Sequence, residues 1–425
     1  MPITRRQLSA ATGALLASRL ARAAEGLPRT YAGTTLNVMQ RTSPPFDAVI
    51  AAGAAFTDAT GIRLNVTRVA PSDQYAKLML DVSSRTNAYD VSAFVYQWKQ
   101  DLAPFFADLA DIGTAVPGAP ALALDDYPRE LLDTYGRAGT KLMGLPVLGD
   151  VCFFLWNKKA YAAAGFPDTA PGSWDEVAAR GKGLRTGGQF GFALPAGKAP
   201  QAYVLWTLIF HAFGGTYFAP DGTPLLDSPA GVKTLQFIAG QLQPIAPSGD
   251  LTWDYNEVLN SVLTAQSAQA VVWPGGLGTL NDPAKSQVAG SFAVAPPPGG
   301  ALLGGTSIGV NANSKHLDAA KLYVAWLTSP DTVKQTAAAG CPPARLSAWS
   351  DPALVAKYPH FPAVKAAMTG DTFGYIPMKE SEQVLVMMSD AVNAACAGTK
   401  TPEQAAADLQ ASAVAFMRRR GMIKG

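Results

Sequence analysis

The chain has 425 residues, of which 48% are hydrophobic and 16% are charged, so it can form two or three domains with sizeable cores. The formal net charge is +2 with both signs intermixed, which gives no strong field favouring nucleic acid or an anionic membrane. Three cysteines are too few for a disulfide scaffold, and together with three histidines they show no zinc-site spacing. We expect no metal and no cofactor, and which cysteines pair stays open.

The first 23 residues have the features of an export signal. Two adjacent arginines precede a weakly apolar stretch over residues 8–20, and the segment ends in the small-x-small cleavage pattern Ala-Arg-Ala. The apolar stretch is far shorter than the ~20 residues that span a bilayer. Twin arginines favour a Tat-type signal over an anchor. We therefore predict a periplasmic protein from which the signal peptide, residues 1–23, is removed.

Strands and helices alternate after this signal. Strand-like patterns cover residues 34–40, 62–69 and 89–96, and helical patterns begin at Pro45 and cover residues 72–84 between them. This order predicts parallel βαβ units and a lobe whose sheet is covered on both faces.

A second passage of the same kind begins near Leu145. A strand pattern runs to residue 157, and helical patterns follow over residues 158–165 and 171–184. The Pro- and Gly-rich residues 294–305 then interrupt the alternation, and we interpret them as a crossover between lobes.

Five blocks, in order over nearly the whole mature chain, carry a resemblance to a known family. They read FTDATGIRLNVTRV, SDQYAKLMLDVSSRTNAYDV, YGRAGTKLMGLPVLGDVCFFLWNKKAYAAAGFPDTAPGSWDEV, AFGGTYFAPDGTPLLDSPAGVKTLQFI and GTSIGVNANSKHLDAAKLYVAWLTSPDTVKQTAAAGCPPAR. Together they resemble the family 1 extracellular solute-binding proteins, the maltose-binding-protein-like receptors of bacterial ABC importers.

The resemblance implies an α/β, two-lobed periplasmic binding protein fold of type II. Its N-terminal lobe would comprise residues 33–145 plus about 305–328, and its C-terminal lobe about 150–295 plus 331–425. The crossing segments would lie near Leu145 to Asp150, Pro298 to Thr306, and Leu327 to Asp331. Such crossings form a hinge about which the lobes close over a ligand in the cleft.

The resemblance also implies a function. It indicates a receptor, not an enzyme, that captures a small carbohydrate or polyol and delivers it to membrane ABC permease subunits. We expect a monomer with no nucleic-acid partner. Within the class, the alternative ligand is another neutral or anionic small solute; outside it, the alternative is a secreted serine hydrolase.

The hydrolase alternative depends on the pentapeptide GTSIG, residues 305–309, which matches the G-x-S-x-G nucleophile elbow. Ser307 would be the nucleophile, with Asp318 and His360 following in the required order. An elbow needs a strand, a sharp turn and then a helix, whereas more strand is predicted after Gly309. We therefore favour a crossover whose glycines let two backbones pass closely.

Pockets for sugars and polyols are lined by aromatic rings and a few polar groups, because these ligands present C–H faces and hydroxyl edges. Trp98 and Trp273 each follow a predicted strand, and ligands of open α/β sheets bind beyond strand ends. Core packing is the alternative for both, and it is the favoured interpretation for Trp156, Trp206 and Trp326.

Polar candidates follow from the same geometry and from the family pattern. Asp150 can accept two hydroxyl donors, with an exposed turn aspartate as the alternative. Arg345 matches the family's P-x-R segment, and with Arg41 it can serve one anionic group; a solvated loop arginine is the alternative. The full candidate set is Gln40, Arg41, Thr42, Tyr96, Gln97, Trp98, Asp150, Trp253, Tyr255, Trp273, Gly275, Arg345 and Tyr375.

Overall fold

The structure is a computed structural model that describes residues 20–185 and 188–423. The predicted signal peptide lies outside these residues except for its last four, which are helical. Within the described ranges, no helix is both long and apolar enough to cross a membrane.

Eleven strands occur in the described part of the chain. They are β1 (Thr35–Arg41), β2 (Arg63–Val69), β3 (Val91–Phe94), β4 (Arg137–Ala138), β5 (Lys141–Leu142), β6 (Leu145–Val151), β7 (Phe153–Asn157), β8 (Gln269–Val272), β9 (Phe292–Ala295), β10 (Ala301–Val310) and β11 (Thr372–Phe373).

The α-helices of the same residues connect and flank these strands. They are α1 (Pro44–Thr60), α2 (Pro71–Ser84), α3 (Lys99–Leu102), α4 (Ile112–Ala115), α5 (Arg129–Gly136), α6 (Lys158–Ala163), α7 (Trp174–Leu184), α8 (Pro200–Ala212), α9 (Pro229–Phe237), α10 (Tyr255–Leu263), α11 (Pro274–Leu280), α12 (Leu317–Leu327), α13 (Pro330–Ala338), α14 (Leu346–Trp349), α15 (Pro352–Lys357), α16 (Phe361–Thr369), α17 (Ser381–Cys396) and α18 (Pro402–Arg419).

The chain forms two compact units. The first extends to Asp150 and resumes over Gly304–Lys365, and the second comprises Val151–Leu303 and the residues from Ala366 onward. The chain passes from one unit to the other within β6, within β10 and within α16. The third passage lies after the segment near residues 327–331 that the family resemblance suggested, because α13 packs against α1 of the first unit.

The sheet of the first unit positions its candidate residues. Strand β1 pairs in parallel with β2 over its whole length, and with β3 on its other side, where Met39 lies opposite Ser92. Strand β10 runs antiparallel to β3, with Ser307 opposite Phe94, and β6 pairs with β10. The predicted parallel βαβ units are present, so the carboxyl ends of β1 and β3 meet at one edge.

Large apolar side chains form the core of the first unit. One buried cluster includes Met39, Phe94, Trp98 and Phe106. Elsewhere in the first unit, the ring of Phe56 on α1 lies 5.2 Å from that of Trp326 on α12. Burying these side chains removes apolar surface from water, which stabilises the folded state by roughly 25 cal/mol for each Å² buried.

The second unit has an antiparallel sheet in the order β8-β7-β9. Every residue of β7 is buried, and α8 packs against α17 beside it. Trp156 and Trp206 are 5% and 0% exposed, and Trp326 of the first unit is 0% exposed, which confirms their predicted core positions. The antiparallel pairing differs from the pattern expected from the sequence, because β7 pairs with strands that come more than a hundred residues later.

The segment GTSIG lies within the continuous strand β10, and no helix follows it until α12 begins at Leu317. Ser307 is fully buried, and its Oγ donates a hydrogen bond to the carbonyl oxygen of Tyr135 at 3.1 Å. The nucleophile-elbow interpretation is therefore wrong. A Cβ atom at Gly305 would lie 2.5 Å from the Leu148 carbonyl oxygen, which confirms that the glycines permit a close backbone approach.

Replacing Ser307 by Ala removes one buried hydrogen bond and should lower the free energy of unfolding by about 1 kcal/mol. Urea unfolding measures this loss. Ser83→Ala is the matched control, because the Ser83 hydroxyl is exposed and bonds only within α2; we expect a smaller change there. Equal effects of the two substitutions would contradict the structural role given to Ser307.

Candidate functional site

In the first unit, the clearest candidate is Gln40 at the carboxyl end of β1. Its side chain is 1% exposed, and neither Oε1 nor Nε2 has a hydrogen-bond partner within the part of the chain that the structure describes. A buried amide left without partners costs about 1–3 kcal/mol for each unsatisfied group. Such a group is expected where a ligand supplies the missing partners.

Gln74, which the sequence analysis missed, adds a second buried amide at the same edge. Its Nε2 donates to the Ala93 carbonyl oxygen at 2.7 Å, whereas its Oε1 has no partner among the described residues. Because Met39 lies opposite Ser92 in the parallel pairing, Gln40 comes next to Ala93. Gln74 lies in the first turn of α2, the helix that follows β2. This position is the sequence signal that could have identified it as a candidate.

The turn after β3 carries three further candidates, Tyr96, Gln97 and Trp98. The Tyr96 ring stacks on that of Tyr135 with centroids 5.1 Å apart, and the Tyr135 hydroxyl donates to the backbone oxygen of Asp150 at 3.0 Å. Trp98 is 4% exposed and belongs to the hydrophobic cluster described above. The structure thus places Trp98 in the core, the alternative that the sequence left open.

The other candidates of the first unit are more accessible. Three of them are half-buried, namely Arg41, Gln97 and Asp150, and Thr42 is exposed. The backbone amide of Thr42 donates to the Val69 carbonyl oxygen at 2.9 Å, which extends the β1–β2 pairing by one residue. Arg41 and Thr42 directly follow Gln40 in the chain, and Asp150 is the last residue of the first unit before the chain enters the second.

Arg345 has a different role from the one expected. Its side chain is 0% exposed, and the guanidinium donates to the carbonyl oxygens of Thr328, Ala123 and Leu122 at 2.6–2.8 Å. It also lies 3.5 Å from a carboxylate oxygen of Asp126. These contacts join three segments of the first unit, so Arg345 stabilises the fold. It is therefore no longer a candidate ligand-binding residue. It is not a solvated loop arginine either.

In the second unit, the structure brings Trp273 and Tyr255 together. The indole Nε1 of Trp273 donates to Oε1 of Gln201 on α8 at 3.0 Å. The backbone amide of Gln201 donates to Asp254 Oδ1 at 2.9 Å, and Asp254 caps the helix that begins with Tyr255. The Tyr255 hydroxyl oxygen lies 3.4 Å from both the backbone nitrogen and oxygen of Trp273. Gln201 was not identified from the sequence.

The remaining candidates of the second unit are Trp253, Gly275 and Tyr375. Trp253 precedes Asp254, and its carbonyl oxygen accepts from the Gly197 amide at 3.0 Å. Gly275 is an exposed residue in the first turn of α11. Tyr375 is 5% exposed and meets the ring of Tyr203 edge to face at 5.5 Å, so most of its surface is used in packing.

Asp250 is an unusual carboxylate in the segment that leads to Trp253. Its side chain is 1% exposed, and within the described ranges neither carboxylate oxygen has a hydrogen-bond partner of normal geometry. Burial raises the pKa of Asp250 to about 6, which the nearby Leu251 amide partly opposes. The ionised form is therefore destabilised by the fold.

In the described residues, no group of three or more histidine, cysteine or acidic side chains is placed to hold a metal ion. Cys152, Cys341 and Cys396 all lie within the described residues, and none of them forms a disulfide bond there. Burial, with a smaller contribution from a neighbouring aspartate in each case, raises the pKa of the Cys341 and Cys396 thiols to about 12.

Comparison with known proteins defines the class. The model of the bacterial extracellular solute-binding protein family matches residues 40–334, and the chain belongs to this family. It is thus the substrate-binding protein of an ABC transporter and not an enzyme, as predicted. The predicted type II periplasmic binding protein fold is confirmed as well.

Three proteins illustrate what the chain is similar to. A probable amino-acid ABC transporter periplasmic-binding protein of Sinorhizobium fredii is 49% identical over 99% of each chain. A mannitol-binding protein of Pseudomonas aeruginosa is 26% identical over 72% of this chain and 76% of its own length. A crystal structure of a solute-binding protein from Agrobacterium radiobacter K84 in complex with ribitol matches with a TM-score of 0.81 and 25% identity, covering 91% of this chain and 99% of that chain.

The raised pKa of Asp250 predicts a specific pH dependence of stability. The protonated carboxyl is favoured in the folded state, so its contribution is complete below the unfolded pKa of 3.8 and is lost as the pH rises through about 6. The loss amounts to roughly 3 kcal/mol at neutral pH. Asp250→Asn should therefore gain stability relative to the parent between pH 4 and pH 7.

Urea unfolding of both proteins at several pH values measures this difference. Asp221→Asn is the control of opposite sign, because hydrogen bonds from Thr223 lower the pKa of Asp221 below 3.8. This variant should lose stability relative to the parent as the pH rises through the unfolded value of 3.8, and above about pH 5 the difference should stay constant. A difference between Asp250→Asn and the parent that is constant with pH would contradict the proposed protonation.

Proposed function

We propose that this ABC-transporter binding protein takes a small polyol or sugar whose hydroxyl groups pair with Gln40 and Gln74. The observation that carries the proposal is the buried Gln40 amide, with both its donor and its acceptor unpaired. A hydroxyl group can donate and accept at the same time, so neighbouring hydroxyls of a polyol satisfy both ends of one amide. Because the amides carry no net charge, they favour a neutral ligand over an ionic one.

Aromatic rings of the second unit support the same class of ligand. Trp273 and Tyr255 are half-buried and lie together, and Trp253 is two residues before Tyr255. The C–H faces of a polyol or sugar pack favourably on such rings, while polar groups at their rims orient the hydroxyls. The bound ribitol of the Agrobacterium radiobacter protein and the name of the mannitol-binding relative agree with this chemistry.

An amino acid is the second candidate ligand, because the Sinorhizobium fredii relative is named for amino acids. A zwitterion needs a partner for its carboxylate and another for its ammonium group. The sequence analysis considered two arginines for an anionic group. One of them, Arg345, already donates its hydrogen bonds to backbone carbonyl oxygens of the first unit. Arg41 is then the remaining candidate, and its substitution separates the two ligand classes.

The cellular setting completes the proposal. The family consists of extracellular solute-binding proteins, and residues 1–23 have the pattern of a Tat-type signal. We propose that the protein acts as a monomer in the periplasm and delivers its ligand to ABC permease subunits. Closure about a hinge stays a prediction from the sequence.

A ligand panel tests the proposal directly. Thermal unfolding of the mature protein is followed with ribitol, mannitol, erythritol, maltose and a set of L-amino acids. A ligand at 100 times its Kd stabilises the folded state by about 2.7 kcal/mol, which raises Tm by several degrees. We expect this increase with at least one polyol or sugar. An increase with amino acids alone, abolished by Arg41→Met, would replace the polyol by the second candidate.

Gln40→Leu should separate stability from binding. Removing an amide that has no partner in the ligand-free protein should leave the free energy of unfolding unchanged or raise it by about 1 kcal/mol. The same substitution should weaken polyol binding by at least ten-fold, because ligand hydroxyls lose both partners. Calorimetry gives Kd, and urea unfolding gives the stability.

Gln410→Leu is the matched control for this substitution. The Gln410 amide accepts from the Leu226 amide and donates to the Pro224 carbonyl oxygen, so its removal should lower stability and leave affinity unchanged. If Gln40→Leu behaves like this control, Gln40 is structural and does not bind the ligand.

A further inference from the structure

We infer that Gln201 is a positioning residue that fixes the orientation of the Trp273 indole for ligand binding. The inference rests on the proposed function, since it takes Trp273 as a ring that contacts the polyol or sugar. It assigns to Gln201 a role through Trp273 and not a contact with the ligand. The argument depends only on residues of the second unit.

The Gln201 side chain is itself held firmly. It is 2% exposed, its Oε1 accepts from the Trp273 indole at 3.0 Å, and its Nε2 lies 3.5 Å from the Val271 carbonyl oxygen. Its backbone amide donates to Asp254 Oδ1 at 2.9 Å. Apart from its bond to the indole, Gln201 is thus tied to β8 through its side-chain Nε2 and to the start of α10 through its backbone amide, and these contacts fix the position of the amide oxygen.

Backbone and ring of Trp273 are fixed by different groups. The Tyr255 hydroxyl oxygen lies within 3.4 Å of the backbone nitrogen and oxygen of Trp273, and it occupies space left by Gly276, where a Cβ atom would be 2.5 Å away. The ring, in contrast, is only half-buried and is followed by a proline and two glycines. Packing alone constrains such a ring weakly, so the hydrogen bond to Gln201 determines its rotamer.

Two of the core tryptophans show that an indole does not need this bond when packing surrounds it, although the buried Trp156 and Trp174 do donate one. Trp206 and Trp326 are 0% exposed, and their indole N–H groups have no partner in the described ranges. Trp273 has less packing and a hydrogen bond to a buried amide. This arrangement is expected where a partly exposed residue must be held ready for a ligand, since a preorganised ring loses less conformational entropy on binding.

Gln201→Met tests the inference, because it keeps the length of the side chain and removes the acceptor. Calorimetry with ribitol, or with the polyol that gives the largest thermal shift, should show about ten-fold weaker binding. Gln201→Asn keeps an amide but shortens the reach to the indole, and it should weaken binding similarly. This second variant covers the case in which the methionine variant fails to fold. Unchanged affinity in the folded variants would overturn the inference.

A double-mutant cycle then distinguishes positioning from direct contact. If Gln201 acts through the ring, Gln201→Met has no further effect on affinity in a Trp273→Ala background. An equal loss in both backgrounds would overturn the positioning role. Gln410→Met is the control for general loss of packing: its stability falls, and its affinity for the polyol does not.

A measurement without ligand separates this inference from the proposed function. In protein labelled with 5-fluorotryptophan, the ¹⁹F resonance that disappears in Trp273→Phe belongs to Trp273. Gln201→Met should shift or broaden this resonance and leave those of Trp206 and Trp326 in place; an unchanged resonance would overturn the inference. If the parent protein binds no polyol or sugar at all, the proposed function fails, whereas the resonance still reports on the contact between Gln201 and Trp273.

Discussion

The first unit depends on the close approach of β10 to its neighbours, and this approach requires two positions without a side chain. A Cβ atom at Gly309 would lie 2.4 Å from the ring of Phe106, and one at Gly305 would lie 2.5 Å from the carbonyl oxygen of Leu148. Contacts this short cannot be relieved by a rotamer change where the neighbour is backbone. Strand β10 therefore fits between β3 and β6 only with glycine, and that fit fixes the edge of the sheet at which Gln40 and Gln74 lie.

Stability and binding make opposite demands on the candidate site. Two polar side chains of the first unit are buried and paired: Arg345 has carbonyl partners for its guanidinium, and Ser307 donates to the Tyr135 carbonyl oxygen. Gln40 has no such partners, although it is equally buried. The folded state accepts this cost at the end of β1, where the proposed function has ligand hydroxyl groups supply the hydrogen bonds that the chain does not. Trp273 is the counterpart in the second unit, because its accessible ring needs a hydrogen bond to keep its orientation.

Features that depend on local pattern could be predicted from the sequence. The alternation of strands and helices, the apolar surroundings of Trp206 and the small residues of GTSIG each indicated the structure that is found. Features that depend on distant partners could not. The antiparallel pairing of β7 and the passage within α16 involve strands and helices far along the chain. Arg345 was assigned to a ligand because nothing near it in sequence reveals Thr328 or Leu122 as hydrogen-bond partners. Gln74 was missed because the lack of a partner for its Oε1 is known only once the helix is placed against β3.

The buried thiols have a practical consequence for studying this protein. Cys152 and Cys341 are buried, and the high pKa of the Cys341 and Cys396 thiols keeps both in the poorly nucleophilic protonated form at neutral pH. Alkylating dyes and spin labels should therefore modify the native cysteines slowly. Two cysteines introduced at exposed positions would be labelled selectively in the otherwise unaltered chain, so the distance between the two probes can be followed without first removing the natural thiols.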